Sequence, residues 1–194
     1  MGSSTESTWR VFCAIEIPAE IRQRISNHAQ QLHDALPDVQ ASWTKPDNIH
    51  LTLKFFGNIS QQQVLKASQA AAQAVEGLRS FTIHIEGAGS FPPRGPAKVL
   101  WIGISDPTGT LIQLQQKFDS ECEREGFPKE ARAFHPHLTV ARLRTARGAR
   151  ALAEQHKQLE FEGGDVCVSR LILFRSELSS KGSRYTPIST HRLD

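Results

Sequence analysis

HLTLKFFG (His50 to Gly57) and HPHLTVAR (His135 to Arg142) decide how this chain folds. Both runs are rich in strand-forming residues, and successive side chains along a strand point to opposite faces. His50 and Thr52 therefore share one face while Leu51, Leu53 and Phe55 share the other. His137 and Thr139 do the same opposite Leu138 and Val140. In each run the apolar set anchors the strand to a core and leaves an imidazole and a hydroxyl on the opposite side. The two histidines stand 87 residues apart, so the spacing predicts two related halves, each carrying one H-x-T-x element.

The surrounding pattern supports the same repeat. Arg10 to Ile17 (RVFCAIEI) reads as a strand, and Pro18 opens a helix with Ile21, Ile25, Leu32 and Leu36 at helical spacing. The strand at His50 is expected to end at Gly57. Ser60 and Gln63 then form a capping box for a helix whose apolar face is Val64, Ala67, Ala71, Val75 and Leu78. Phe81 to Gly87 alternates as a half-buried strand, and GAGSFPPRGP (Gly87 to Pro96) reads as a loop. Val99 to Ile104 is a strand and Thr110 to Glu125 a helix with Leu111, Leu114, Phe118 and Cys122 inward, stopped by Gly126. The strand His135 to Arg142, a polar helix through Leu152 to about Leu159 and a strand Val166 to Phe174 complete the second half. Strand, helix, strand, helix, strand thus occurs twice.

The chain has 194 residues, enough to bury a core without disulfide or metal staples. Its 23 Lys and Arg against 20 Asp and Glu give a net charge of +3. That suits an anionic substrate but not a protein living on duplex phosphate backbones. The odd number of cysteines, Cys13, Cys122 and Cys167, all in apolar-patterned segments, predicts reduced, buried thiols and a cytoplasmic location. No run of 18 apolar residues occurs, so no membrane span is expected. The start MGSSTESTWR has neither an apolar leader core nor Ser or Thr at position 6, so neither a secretory signal nor myristoylation is expected. Residues 1–8 are expected to be a disordered tail and residues 9–194 a single bilobal catalytic domain, with a monomer as the default.

Two such halves packed about a pseudo-twofold axis face two His-Thr pairs across a cleft. In-line opening of a cyclic phosphodiester needs one group to deprotonate water and another to protonate the leaving sugar oxygen opposite. With an ordinary pKa of about 6.5, histidine serves either role near neutral pH. Thr52 and Thr139, as neutral donors, hold non-bridging oxygens. The balancing positive charge comes from Arg142 or Lys54. Simple alternation puts Arg142 on the Leu138 face, so it reaches phosphate only if the strand ends or bulges near Ala141.

These residues resemble the paired signatures of two-histidine phosphoesterases, in particular RNA 2′,3′-cyclic phosphodiesterases, also called 2′-5′ RNA ligases. RVFCAIEIP, W-x(4)-N-x-HLTLKFFG from Trp43 to Gly57, GxGxFP from Gly87 to Pro92, VLW at Val99 to Trp101 and LILFRSEL from Leu171 to Leu178 resemble that family in the same order. The resemblance spans roughly residues 9 to 189. It implies an α+β fold of two pseudo-twofold-related lobes, antiparallel sheets facing a central cleft and helices outside. It also implies no metal, no cofactor, and RNA ends or oligonucleotides carrying a 2′,3′-cyclic phosphate as substrate, opened to a 2′-phosphomonoester. His50 would protonate the 3′ oxygen and His137 would activate water. The reverse joining of a cyclic-phosphate end to a 5′-hydroxyl is allowed by microscopic reversibility.

Competing readings stay beside these. The threonines could be ordinary strand formers. Phe56 and Phe134 could stack a nucleobase, although core packing is the commoner role for such aromatics. His135 and His137 share a face and could bind zinc with His50, but that reading leaves both threonines unexplained. Arg142, Arg144, Arg147 and Arg150 could track RNA or simply be solvated. His28, His33, His84, His156 and His191 carry no partner pattern. A non-catalytic RNA-end binder on the same frame is the rival function, and it has no need of paired titrating groups.

Overall fold

The computed structural model describes residues 7–180 and 182–194. Residues 1–6 of the expected tail lie outside the described residues. β1 (Thr8–Glu16) begins at Thr8, which pairs with Ser60. There follow α1 (Ala19–Ala35), β2 (Ala41–Trp43), a 3-10 turn (Pro46–Asn48), β3 (His50–Ser60), α2 (Gln61–Val75), β4 (Phe81–Phe91), β5 (Val99–Ser105) and α3 (Thr110–Arg124). The chain ends with β6 (His137–Leu143), α4 (Ala149–Gln158), β7 (Glu162–Val168), β8 (Arg170–Ser179) and β9 (Gly182–Arg192).

Two antiparallel sheets form, in the orders β3-β1-β8-β9 and β2-β6-β5-β4-β7. Matching β3 with β6, β1 with β5, β8 with β4 and β9 with β7 superposes the two orders, so the twofold is real at the level of strands. Its units are not the two contiguous halves of the chain. β4 comes from the first half but sits in the second sheet, and β8 and β9 come from the second half but complete the first. The run Val166 to Phe174, expected as one strand, is broken at Ser169 and passes from one sheet to the other. The helices cross over as well. α1 packs on β6, β7 and α4 of the second lobe, while α3 packs on α2 behind the first sheet.

Each boundary has a local cause. Ser60 and Gln63 form the expected capping box, the Ser60 hydroxyl accepting from the Gln63 backbone N–H and the Gln63 side chain from that of Ser60. Gly126, at φ +90°, ends α3, and the Phe127 N–H reaches back to the Cys122 carbonyl at 2.9 Å. β3 does not stop at Gly57: Phe56 is left unpaired in a bulge there, and the strand runs on to Ser60. β4 likewise continues through Gly87 to Phe91, so only the residues after Phe91 form the expected loop. The ladder demands this extension, because Gly89, Ser90 and Phe91 pair with Trp101, Leu100 and Val99. A Cβ on Gly89 would lie 2.2 Å from the Trp101 indole, so glycine lets that ring lie flat over the strand.

One large core behind both sheets contains Val11, Ile15, Leu51, Leu53, Ile83, Ile102, Leu114, Phe118, Leu138 and Leu173. β1 is apolar on both faces because Phe12 and Ala14 form a second, smaller cluster with Ile172 and Phe174. Tyr185 packs on that cluster. Cys13 and Cys122 are buried as expected, but Cys167 is exposed; all three are free thiols. No helix among the described residues is long and apolar enough to cross a membrane.

Candidate active site

The first motif strand is a sheet edge, and the second, paired with β5 on one side, is covered on the other only by the three-residue β2. Both line one cavity of about 480 Å³, with His50, Thr52, Phe55, His137, Thr139 and Arg142 on its wall. All five residues singled out from the sequence therefore meet in one place.

Both strands reach this arrangement by the same device. In β6 the pairing to β5 skips Val140, so Val140 and Ala141 are both buried and Arg142 turns out on the side of Thr139. The bulge required for Arg142 is therefore present. In β3 the pairing to β1 skips Leu53, so Leu53 and Lys54 are both buried and Phe55 turns into the cleft. This corrects two expectations. Phe55 is not on the core face but is 44% exposed on the cleft wall. Lys54 does not supply the phosphate charge; it is buried in an ion pair with Asp119. The second cation on the cavity wall beside Arg142 is Arg10 of β1, whose guanidinium lies 4.5 Å above the Phe55 ring. Arg10, Asn48, Ser183 and Tyr185 also line the cavity. No local pattern marks Arg10, Ser183 or Tyr185, because they arrive through pairing between distant strands, whereas Asn48 stands in the N-x-H run before the first motif.

The histidines are oriented identically. His50 donates from Nδ1 to the carbonyl of Asn48, and His137 from Nδ1 to the carbonyl of His135, each at 2.7 Å. A carbonyl only accepts, so each ring carries its Nδ1 hydrogen and has Nε2 left for chemistry. The Asn48 side chain in turn donates to the Ser183 carbonyl at 2.9 Å, tying the turn before His50 to β9. His50 is stacked on Phe12 and meets the edge of Tyr185. His137 is met by Phe91 and Trp101.

This packing sets the titration. Burial, partly offset by the Asn48 carbonyl and reinforced by His137, lowers the His50 pKa to about 4. His137 is lowered by burial, offset by the His135 carbonyl, and lowered again by His135 and Arg142. Both imidazoles are thus neutral in the free protein at neutral pH. An anion between them reverses this, since a negative charge favours an imidazolium beside it.

The zinc arrangement weighed from the sequence is not formed. The His135 ring packs against Trp101 and Phe91. Among the described residues the one grouping of three close metal-ligand atoms is His84, Glu86 and Glu162, which contains none of the cleft histidines. Phe56 is a core residue against Phe118 and Phe127, whereas Phe134 lines a neighbouring cavity of about 820 Å³ with Phe55, Phe91 and His135. Arg150 is paired with Glu154, and Arg144 donates to Ser42.

Two inward-facing His-Thr pairs on twofold-related strands define a two-histidine phosphoesterase frame. The family model of the 2′-5′ RNA ligase superfamily matches residues 17–179, and the chain belongs to that superfamily. An RNA 2′,3′-cyclic phosphodiesterase of Methanothermobacter thermautotrophicus is 35% identical over 185 residues, covering 95% of this chain and 98% of the relative. The enzyme of the same name from Escherichia coli is 31% identical over 179 residues, covering 92% and 93%. The crystal structure of E. coli LigT complexed with 3′-AMP has a TM-score of 0.78 at 29% identity, covering 96% of this chain and 98% of that one.

Proposed function

We propose that the protein is an RNA 2′,3′-cyclic phosphodiesterase that opens cyclic phosphate ends to 2′-phosphomonoesters by acid–base catalysis between His50 and His137. The observation that carries this reading is the pair of matched 2.7 Å clamps, Asn48 carbonyl to His50 and His135 carbonyl to His137, which offer two Nε2 atoms to one cavity.

The cyclic phosphate sits between the rings with its non-bridging oxygens on the Thr52 and Thr139 hydroxyls. Arg142 and Arg10 balance its charge. That charge raises the neighbouring imidazoles and makes a protonated ring available, and the family resemblance assigns the protonated role to His50 and the neutral one to His137. His137 Nε2 takes a proton from water as the water oxygen bonds to phosphorus. The bond from phosphorus to the 3′ oxygen breaks, and His50 delivers its proton to that oxygen. One proton has moved from water to His137 and one from His50 to the product, and exchange with solvent restores the starting pair. No step calls for a metal or cofactor. The aromatic cavity of Phe55, Phe91, Phe134 and His135 beside Thr52 and His137 suits a stacked nucleobase.

The partner is an RNA end or oligonucleotide with a 2′,3′-cyclic phosphate, and the reverse 2′-5′ joining uses the same groups with a 5′-hydroxyl in place of water. We place the enzyme in the cytoplasm as a monomer, on the strength of its free thiols and its already internal twofold. Incubation with a 2′,3′-cyclic nucleotide in the presence of chelator tests the function. Turnover that disappears in His50→Ala and in His137→Ala is expected; binding without turnover would leave an RNA-end binding module instead.

A further inference from the structure

Lys54 belongs to the first motif strand, yet its ammonium group reaches α3 and the stretch that leads from α3 to the second motif. Its side chain is 3% exposed and its ammonium group meets Asp119 of α3 at 2.5 Å. A second donor goes to the carbonyl of Pro128 at 2.8 Å. Asp119 also accepts the backbone N–H of Glu130, at 3.2 and 3.3 Å to its two oxygens. One buried ion pair thus pins residues 128 and 130 of the irregular stretch between α3 and β6. The same stretch contains His135, whose carbonyl fixes the His137 ring and whose own ring packs on Phe91 and Trp101. Irregular backbone has no ladder to hold it, so its position depends on such side-chain anchors. The corresponding place in the second motif strand is Ala141, so this anchor exists in one lobe only.

We propose that Lys54 is a positioning residue for His137, acting through Asp119 and the 128–136 segment to hold the His135 carbonyl under Nδ1. This inference rests on the acid–base reading of the histidine pair, but its structural half is measurable without any turnover. Removing the lysine leaves the buried Asp119 carboxylate without its cation, so α3 and the segment that Asp119 holds at Glu130 readjust to hydrate it. His137 then loses its fixed tautomer, while His50, clamped by Asn48 and Ser183, keeps its own.

The test compares wild type with Lys54→Met and Lys54→Arg, with Asp119→Asn as a near-isosteric variant that keeps the fold if Lys54→Met does not. Two-bond ¹H–¹⁵N spectra of the ring nitrogens report the tautomer of each histidine. We expect the His137 signals to move from pure Nδ1–H toward a mixture in Lys54→Met and, less strongly, in Asp119→Asn, with His50 unchanged and Lys54→Arg closest to wild type. With cyclic phosphate as substrate, kcat should fall about ten- to a hundredfold, the range seen when a ring-orienting partner is lost, with KM within about threefold. A folded variant that keeps the wild-type His137 tautomer and kcat overturns the inference. An equal change at His50 and His137 also overturns it, by showing a general loosening. Wild-type protein that turns over no cyclic phosphate refutes the function, while the tautomer comparison still decides the role of Lys54.

Discussion

Phe12 lies stacked on His50, ring centroids 4.7 Å apart and planes inclined by 28°. The ring proposed as the acid is thus buried, and burial disfavours its charged form. With the His50 pKa at about 4 and that of His137 also below its ordinary value, the singly protonated pair is a minor species of the free enzyme at pH 7. The profile of kcat/KM, which reports the free enzyme, should therefore be a bell centred below neutrality. The profile of kcat should be displaced to higher pH, because bound phosphate raises both groups. Coincident profiles would mean that substrate charge does not set the proton inventory.

His50→Ala and His137→Ala should each lower kcat/KM by roughly 10²–10⁴-fold. The double variant should lose little more than either single one, since half of a concerted pair has no residual task. Rates measured under single-turnover conditions decide this, and losses that multiply would indicate two independent contributions.

Thr52→Val and Thr139→Val should keep the melting temperature within ~4 °C of wild type while lowering kcat/KM by about 10²-fold. Shape is retained and only the donor is lost. A stability loss large enough to explain the activity would return both threonines to strand packing.

The two His-Thr pairs, the capping box at Ser60 and the apolar faces of the helices are local patterns, and they were legible in the sequence. Phe55 and Lys54 were assigned to the wrong faces because a bulge at Leu53 reverses the alternation, and no side chain announces which residue of a ladder is skipped. The bulge at Val140 could be required on chemical grounds for Arg142 but not read. Arg10 and Tyr185 reach the site through the register of β1 and β9, which depends on pairing across the whole chain. The exchange of β4, β8 and β9 between lobes is equally non-local, so a repeated order of elements suggested contiguous halves.

His28 and His156 face each other across α1 and α4, Nε2 to Nδ1 at 2.8 Å, and His156 reaches the Trp101 carbonyl at 3.0 Å. Burial lowers both, His28 to about 4. The unfolded chain takes up protons at these sites near pH 6.5 and the folded one only nearer pH 4 for His28. Stability present above pH 6.5 should therefore fall as pH drops from 6.5 toward 4. Urea titrations across that window should show a flatter dependence in His28→Leu/His156→Leu, and an unchanged slope would assign the acid sensitivity elsewhere.

The isomer of the product tests the role assignment most directly. A ribose held in one orientation between two fixed imidazoles presents a single P–O bond opposite the attacking water, and with His50 on the 3′ oxygen that bond is the 3′ one. Phosphorus NMR of the product from a 2′,3′-cyclic dinucleotide, with EDTA present throughout, should show a 2′-phosphate. Predominant 3′-phosphate, or activity abolished by EDTA and restored by zinc, would contradict a His50 acid and His137 base acting without a metal.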